Sequence, residues 1–105
     1  MKLSRYALSI VILGLVACTW VEPTKEGSEV LLVKVFNVET CKKLGTTNTF
    51  VKHKVGIVTR SDEKVTEELI TLAKNRAAEK GGDSIVAKGP ANEGSMSFDM
   101  YKCGE

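Results

Sequence analysis

The sequence predicts an α+β fold in which one amphipathic helix packs on a small, mostly antiparallel sheet of four to five strands. Three observations predict it. A capped helical pattern with one apolar face occupies residues 61–80, and apolar, β-branched segments bounded by polar turns lie both before and after it. The chain of 105 residues has room for a single domain.

The first 17 residues are predicted to be a signal peptide that is removed on export. Lys2 and Arg5 provide a positive start, and an apolar run of 11 residues follows between Tyr6 and Val16. A helix that spans a bilayer needs about 20 apolar residues, so this run is too short for a permanent span. The segment is therefore expected to direct secretion.

The apolar run ends in Leu-Val-Ala-Cys at residues 15–18. This sequence resembles the lipobox of bacterial lipoproteins, in which the cysteine thiol takes a diacylglyceryl group and becomes the first residue of the mature protein. The resemblance implies that Cys18 is lipidated and that the protein faces the periplasm on a lipid anchor. Thr19, where Asp would retain the protein at the inner membrane, implies the outer membrane. An ordinary secretory signal with a nearby cysteine is the alternative.

The mature chain is expected to divide into a lipidated tether, residues 18–29, and a periplasmic domain, residues 30–105. Residues 19–29 are polar and contain one Pro and one Gly, which is the composition of a linker. Fully extended, these 11 residues would reach about 40 Å. The domain is thus expected to stand clear of the lipid headgroups.

Strands are predicted on both sides of the helix. Residues 30–36 are apolar and β-branched, and they predict a strand whose odd-numbered residues share one face. Residues 37–45 are expected to turn, and residues 46–60 to form one long or two short strands. After the helix, residues 84–88 and 95–103 predict the two closing strands, separated by a loop that contains Gly and Pro.

The helix is predicted from its ends and its apolar stripe. Ser61 or Asp62 can cap the start, and the acidic first turn complements the positive end of the helix dipole. Gly81 and Gly82 can adopt the left-handed conformation that ends a helix. The apolar positions recur at helical spacing and comprise Val65, Leu69, Leu72, Ala73 and Ala77.

In the last strand, Met96, Phe98 and Met100 alternate with polar residues. Their alternation predicts that they face the core. The alternative interpretation is an adaptable apolar surface for a partner, because thioethers suit such surfaces.

Charge argues against nucleic-acid binding. Lys2 and Arg5 of the signal peptide account for the whole net charge of +2, so the mature chain is balanced and has no basic block. A membrane, through the lipid anchor, and a protein of the cell envelope are the partners that the sequence predicts.

Three cysteines are an odd number for an exported protein. Assigning Cys18 to lipidation leaves Cys41 and Cys103, an even pair in a compartment that oxidises thiols. A disulfide between them would close a loop of about 63 residues and add on the order of 4 kcal/mol in the chain-entropy model. Two free buried thiols are the alternative.

Three segments also resemble a known family: Cys-Lys-Lys-Leu-Gly at 41–45, the helix end and turn at 72–83, and Met-Tyr-Lys-Cys at 100–103. They resemble a proteobacterial lipoprotein family of unknown function with the pattern C-x-x-L-G … N-x-A-A-x-x-G-G-(D/N) … Y-(K/R)-C. That family is similar in fold to the Rcs envelope-stress sensor lipoprotein, which has two disulfides where this chain has cysteines for one. The resemblance implies an oxidised, membrane-tethered α+β module with no assigned catalytic residues. Within the matching segments, Asp83 is expected to accept hydrogen bonds from backbone N–H groups in the turn that follows.

Candidate catalytic groups are few. His53 is the sole histidine and is interpreted as a partly buried strand residue. The alternative is a role as a ligand or base, for which no partner is visible in the sequence. Adjacent positions on a helix point about 100° apart, so Glu67 and Glu68 are expected to be solvated rather than an acid–base pair. A zinc site would need four ligands, whereas Cys41, His53 and Cys103 supply three at most.

The sequence therefore predicts a protein that is not an enzyme and that has no cofactor or metal. The leading hypothesis is an outer-membrane lipoprotein whose disulfide-stapled domain acts through protein contacts, in envelope homeostasis or stress sensing. The alternative is a module that binds a small periplasmic ligand or a metal, with His53 and the 89–94 loop forming the mouth of its site.

Overall fold

A computed structural model describes residues 21–56 and 58–104 of the chain. Within these residues, the strands and the long helix follow in the order β1 (Leu31–Leu32), β2 (Lys42–Phe50), β3 (Lys54–Val55), β4 (Val58–Thr59), α1 (Asp62–Glu79), β5 (Ser84–Ala87) and β6 (Ser95–Lys102). Two short 3-10 helices, Gly27–Glu29 and Val35–Val38, precede and follow β1. The predicted signal peptide and Cys18 lie outside the described residues.

The main sheet has four strands in the order β1-β5-β6-β2, and β3 and β4 form a separate two-stranded hairpin. β2 and β5 both run antiparallel to β6, whereas β1 pairs with β5 in parallel. The sheet is thus mixed but mostly antiparallel, and α1 packs on one of its faces. The predicted α+β class is confirmed.

Helix α1 begins and ends where the local signals predict. The Ser61 side chain accepts a hydrogen bond from the backbone N–H of Lys64 at 3.2 Å, so Ser61 is the N-cap. At the other end Gly81 has φ of 81°, a left-handed conformation that glycine adopts without a steric penalty. Among the described residues, no helix is both long and apolar enough to cross a bilayer.

The core lies between α1 and the sheet. Val65, Leu69, Ala73 and Ala77 of the helix are buried, as the apolar stripe predicts, while Leu72 is only half-buried. From β6, the buried residues Met96, Phe98 and Met100 complete this cluster. Their interpretation as core residues is confirmed.

The predicted first strand, residues 30–36, is mostly wrong. Only Leu31–Leu32 pairs with β5, and the chain then turns into the 3-10 helix Val35–Val38. The face that the odd-numbered residues were predicted to share is exposed at both ends: Leu31 is 61% exposed and Val35 is 66% exposed. The burial falls instead on Val30 and Val38, which flank the stretch, because the chain leaves the edge of the sheet after two residues.

The predicted turn, residues 37–45, is shorter than expected. β2 already begins at Lys42 and continues to Phe50, with a register shift between Lys43 and Gly45 in its pairing with β6. Beyond Phe50 the predicted second strand is reduced to the hairpin of β3 and β4. The hydrophobic pattern of residues 46–60 did not distinguish this break from a continuous strand.

Candidate functional site

The predicted disulfide between Cys41 and Cys103 is present in the structure, with 4.5 Å between the two Cα atoms. The bond continues the ladder of β2 and β6, in which Lys42 lies opposite Lys102. It therefore ties the end of β6 to the start of β2 and closes a loop with a sequence separation of 62. The pairing of these two cysteines is confirmed.

Asp83 clamps the residues next to this disulfide. Its carboxylate accepts the backbone N–H of Cys103 and of Gly104, each at 2.8 Å, and the Lys102 ammonium lies 3.9 Å away. Burial raises the pKa of Asp83, but the hydrogen bonds from Cys103, Gly104 and Ser84 and the charge of Lys102 outweigh it, so the pKa lies below 3.8. The expectation that Asp83 binds N–H groups of the following turn is wrong, because two of its donors lie about 20 residues away.

The face of the sheet opposite α1 carries a polar network. On it, Thr46 donates to Asp99 at 2.7 Å, Lys43 lies 3.5 Å from the same carboxylate, and Ser97 donates to Asn48 at 2.6 Å. Burial raises the pKa of Asp99, but the bond from Thr46 and the nearby lysine charges bring it below the usual value. The network holds exposed polar side chains in fixed positions.

A groove of about 320 Å³ lies beside this network, which we call the polar groove. Thr46, Asn48 and Ser97 form its floor, and the turn from Lys88 to Pro90 forms one wall. The groove is open and contains no histidine, cysteine or carboxylate in its lining. Its donors and acceptors can recognise polar groups of another molecule by hydrogen bonding.

His53 lies against the 89–94 loop, as the alternative hypothesis requires. It is half-buried in a bend before β3 rather than in a strand, so its predicted strand position is wrong. A Cβ added to Gly94 would lie 3.2 Å from His53 Nδ1, which shows how closely the loop approaches the ring. Together with Asp62 and Thr66 at the start of α1, they line a cleft of about 420 Å³.

The cleft brings together few chemically active groups. Its ionisable side chains are His53, Asp62 and Glu93. Within residues 21–56 and 58–104, no three His, Cys, Asp or Glu side chains form a group that could hold a metal ion.

The prediction that both helix glutamates are solvated is wrong for Glu68. Its side chain is 11% exposed, whereas Glu67 is exposed as predicted. Arg60, which follows β4, donates to Glu68 Oε2 at 2.6 Å and to the Lys52 carbonyl at 2.9 Å. Glu68 Oε1 has no hydrogen-bond partner within the described part of the chain. The pair joins α1 to the hairpin and was not visible in the helical pattern, because its cation comes from a different element.

Residues 22–30 are not an extended linker but pack on α1. The Asn75 side chain donates to the Glu22 carbonyl and accepts the Thr24 N–H, both at 3.0 Å. Gly27 is buried so close to Asn75 that a Cβ at this position would overlap its side-chain oxygen. The next apolar residue, Val30, is 2% exposed and belongs to the core. We call residues 22–30 the docked segment.

Four large apolar side chains immediately after the docked segment are exposed, and we call them the apolar cluster. They are Leu31, Leu32, Val35 and Phe36, with exposed fractions of 61, 44, 66 and 63%. A groove of about 440 Å³ runs beside them, and Lys34 contributes the one charge to its lining. Large contiguous apolar patches on the surface of a protein are typical of interaction surfaces.

Comparison with known proteins identifies a family. A family model described as a domain of unknown function, DUF4156, matches residues 21–103 of the chain. No curated protein and no solved structure gives a significant match. The match extends over nearly all the described residues and agrees with the predicted relation to an uncharacterised family.

Proposed function

Because the chain belongs to the DUF4156 family, whose function is unknown, we propose a function from the chemistry of its own residues. The protein is a non-catalytic lipoprotein of the outer membrane, anchored through Cys18 and facing the periplasm. Its disulfide-stapled domain acts through contacts with another envelope protein.

The disulfide is the observation that best supports this proposal. Cys41 and Cys103 are bonded to each other, which is typical of proteins in a compartment that oxidises thiols. Their pairing leaves Cys18 as the one remaining cysteine, at the end of an apolar run with a positive start. A single acyl chain binds a membrane only marginally, whereas the two or three chains of a lipoprotein hold it stably.

The polar groove is the surface that we propose for the protein contact. Its hydrogen-bonded side chains, Thr46, Asn48 and Ser97, are already ordered, so a partner would bind with little further loss of side-chain entropy. The resemblance to the Rcs sensor lipoprotein leads us to propose envelope homeostasis or stress sensing as the process served.

Mass spectrometry of the protein purified from membranes tests the anchor. We expect a mature chain that begins at Cys18 and carries a diacylglyceryl group, in the outer-membrane fraction after density separation. A Cys18→Ser variant should lose the lipid and leave the membrane fraction. An unmodified Cys18 in the wild-type protein would refute the anchor.

Photo-crosslinking in intact cells tests the contact surface. A benzophenone amino acid replaces Lys88, on the wall of the polar groove, and in a control it replaces Lys64, which is exposed on α1. We expect an adduct with one envelope protein from position 88 and none from position 64. Equal adducts at the two positions, or none at position 88, would contradict the proposal.

A second candidate function, the binding of a small periplasmic ligand or a metal, is favoured by one observation. His53 and the 89–94 loop line a common cleft, as the sequence hypothesis required. Calorimetric titration of the folded protein with Zn²⁺ and with candidate small metabolites tests it. Binding that is lost in a His53→Ala variant supports this function, and a lack of heat with every ligand argues against it.

A further inference from the structure

The apolar cluster is not explained by the packing of the domain. Val30 and Val38 on either side of it are buried, at 2% and 4% exposure, while the four large side chains between them point outward. The stretch is also fixed by its backbone, because Leu31 N–H donates to the Asp83 carbonyl at 3.0 Å and Val33 N–H to the Ile85 carbonyl at 2.9 Å. The domain therefore presents these apolar side chains in a fixed position.

The docked segment brings the domain close to the proposed anchor. Asn75 holds the chain from Glu22 onward, so only residues 19–21 separate the docked segment from Cys18. Four Cα–Cα steps span at most about 14 Å. With a lipid on Cys18, this reach replaces the 40 Å expected for an extended tether, and it keeps Glu22 within about 14 Å of the lipidated residue.

We infer that the apolar cluster rests in the headgroup region of the same bilayer that holds the lipid of Cys18. This inference depends on the proposed lipid anchor. A short tether keeps the cluster at a high effective concentration near the membrane, so contacts that are weak by themselves suffice. Apolar side chains that enter the boundary between headgroups and acyl chains are typical of proteins that lie on a membrane.

The one charged side chain within residues 30–38 suits a phospholipid surface. Lys34 lies between Leu32 and Val35 and is exposed, and the nearest acidic residues in the sequence, the exposed Glu29 and Glu39, lie outside this stretch. A lysine can bury its methylene chain among the apolar groups and keep its ammonium at the level of anionic phosphates. An acidic residue at this position would oppose the same contact.

Tryptophan fluorescence on vesicles tests the inference with a matched control. The lipidated full-length mature protein is reconstituted in vesicles of phosphatidylethanolamine and phosphatidylglycerol, in a Trp20→Phe background that removes the one native tryptophan. One variant carries Phe36→Trp, in the apolar cluster. The control carries Phe50→Trp, at the end of β2, where the exposure of 67% is close to the 63% of Phe36.

For Phe36→Trp we expect emission that shifts to shorter wavelength on vesicles and that is quenched by brominated acyl chains. Phe50→Trp should show neither change. If both tryptophans behave alike while mass spectrometry finds the lipid on Cys18, the inference is wrong and the proposed anchor stands. If Cys18 carries no lipid, the anchor itself fails, and the inference with it. A benzophenone at Val35 that crosslinks in cells to a protein instead of to lipid also overturns the inference.

Discussion

The ion pair of Arg60 and Glu68 allows one stability prediction to be worked out in detail. Their side chains are 12% and 11% exposed, and their charged atoms lie 2.6 Å apart. Removal of one partner from a buried pair costs about 3–5 kcal/mol, because the other charge is left without compensation. The other carboxylate oxygen of Glu68, Oε1, has no hydrogen-bond partner in the described structure, so the buried charge depends on Arg60 for compensation.

The test is a substitution of Arg60 by methionine, whose unbranched apolar side chain extends about as far as Arg Nε and carries no charge. A domain of this size is stable by only about 4–13 kcal/mol. Arg60→Met is therefore expected to remove a large share of the free energy of unfolding. Urea denaturation followed by circular dichroism measures the change.

Two further variants distinguish the effect of the lost charge on stability from the effect of changed side-chain packing. The double variant Arg60→Met, Glu68→Met replaces the pair by apolar side chains, so it should recover to within about 1–2 kcal/mol of the wild-type protein. Glu67→Met, at the exposed neighbouring position, should change stability by no more than about 0.5 kcal/mol. If Arg60→Met costs less than about 1 kcal/mol, the pair does not stabilise the domain in the way argued.

Three other predictions follow from the contacts around the docked segment and the C-terminus. Asn75→Ala should lower the free energy of unfolding by about 1–2 kcal/mol, because it removes the hydrogen bonds to Glu22 and Thr24, and it should speed tryptic cleavage after Lys25. Gly27→Ala should destabilise the Asn75→Ala variant less than it destabilises the wild-type protein, and a double-mutant cycle of urea midpoints measures the difference. The pKa of Asp83 is lowered in the folded state, so ionised Asp83 stabilises the fold above the unfolded-state pKa near 3.8, and this stability is lost as the pH falls through the folded-state pKa. Asp83→Asn should therefore make the free energy of unfolding depend less steeply on pH below about 4. An unchanged dependence on pH would contradict the role of Asp83 as a clamp. Replacement of Cys41 and Cys103 by serine should cost about 4 kcal/mol and lower the thermal midpoint, and a midpoint equal to that of the wild-type protein would show that the closed loop adds nothing.

Short-range signals in the sequence predicted their elements well. The Ser61 cap, the apolar stripe and the glycines after residue 80 specify α1, because each acts within one or two turns of the helix. The alternation in β6 likewise predicted which of its residues face the core. Cysteine counting predicted the disulfide, because the predicted lipidation of Cys18 left Cys41 and Cys103 as one pair, and these two are bonded.

The candidate surfaces were harder to predict, because their partners are remote in sequence. Asn75 bonds to Thr24, which lies 51 residues away, and nothing in the polar composition of residues 19–29 indicates that contact. The exposure of Val35 was missed for a related reason: an apolar, β-branched stretch has the same pattern at a sheet edge as in a sheet centre.

What the sequence determined by itself is the α+β class, the helix with both its ends, the core face of the last strand and the pairing of Cys41 with Cys103. The tertiary structure alone decided that β1 stops after two residues, that Glu68 is buried beside Arg60, and that residues 22–30 pack on the helix. The physical reason is the range of the interactions. Caps, periodicity and thiol number depend on neighbouring residues or on composition, whereas burial at an edge, a buried charge and a docked segment depend on which distant groups the fold brings into contact.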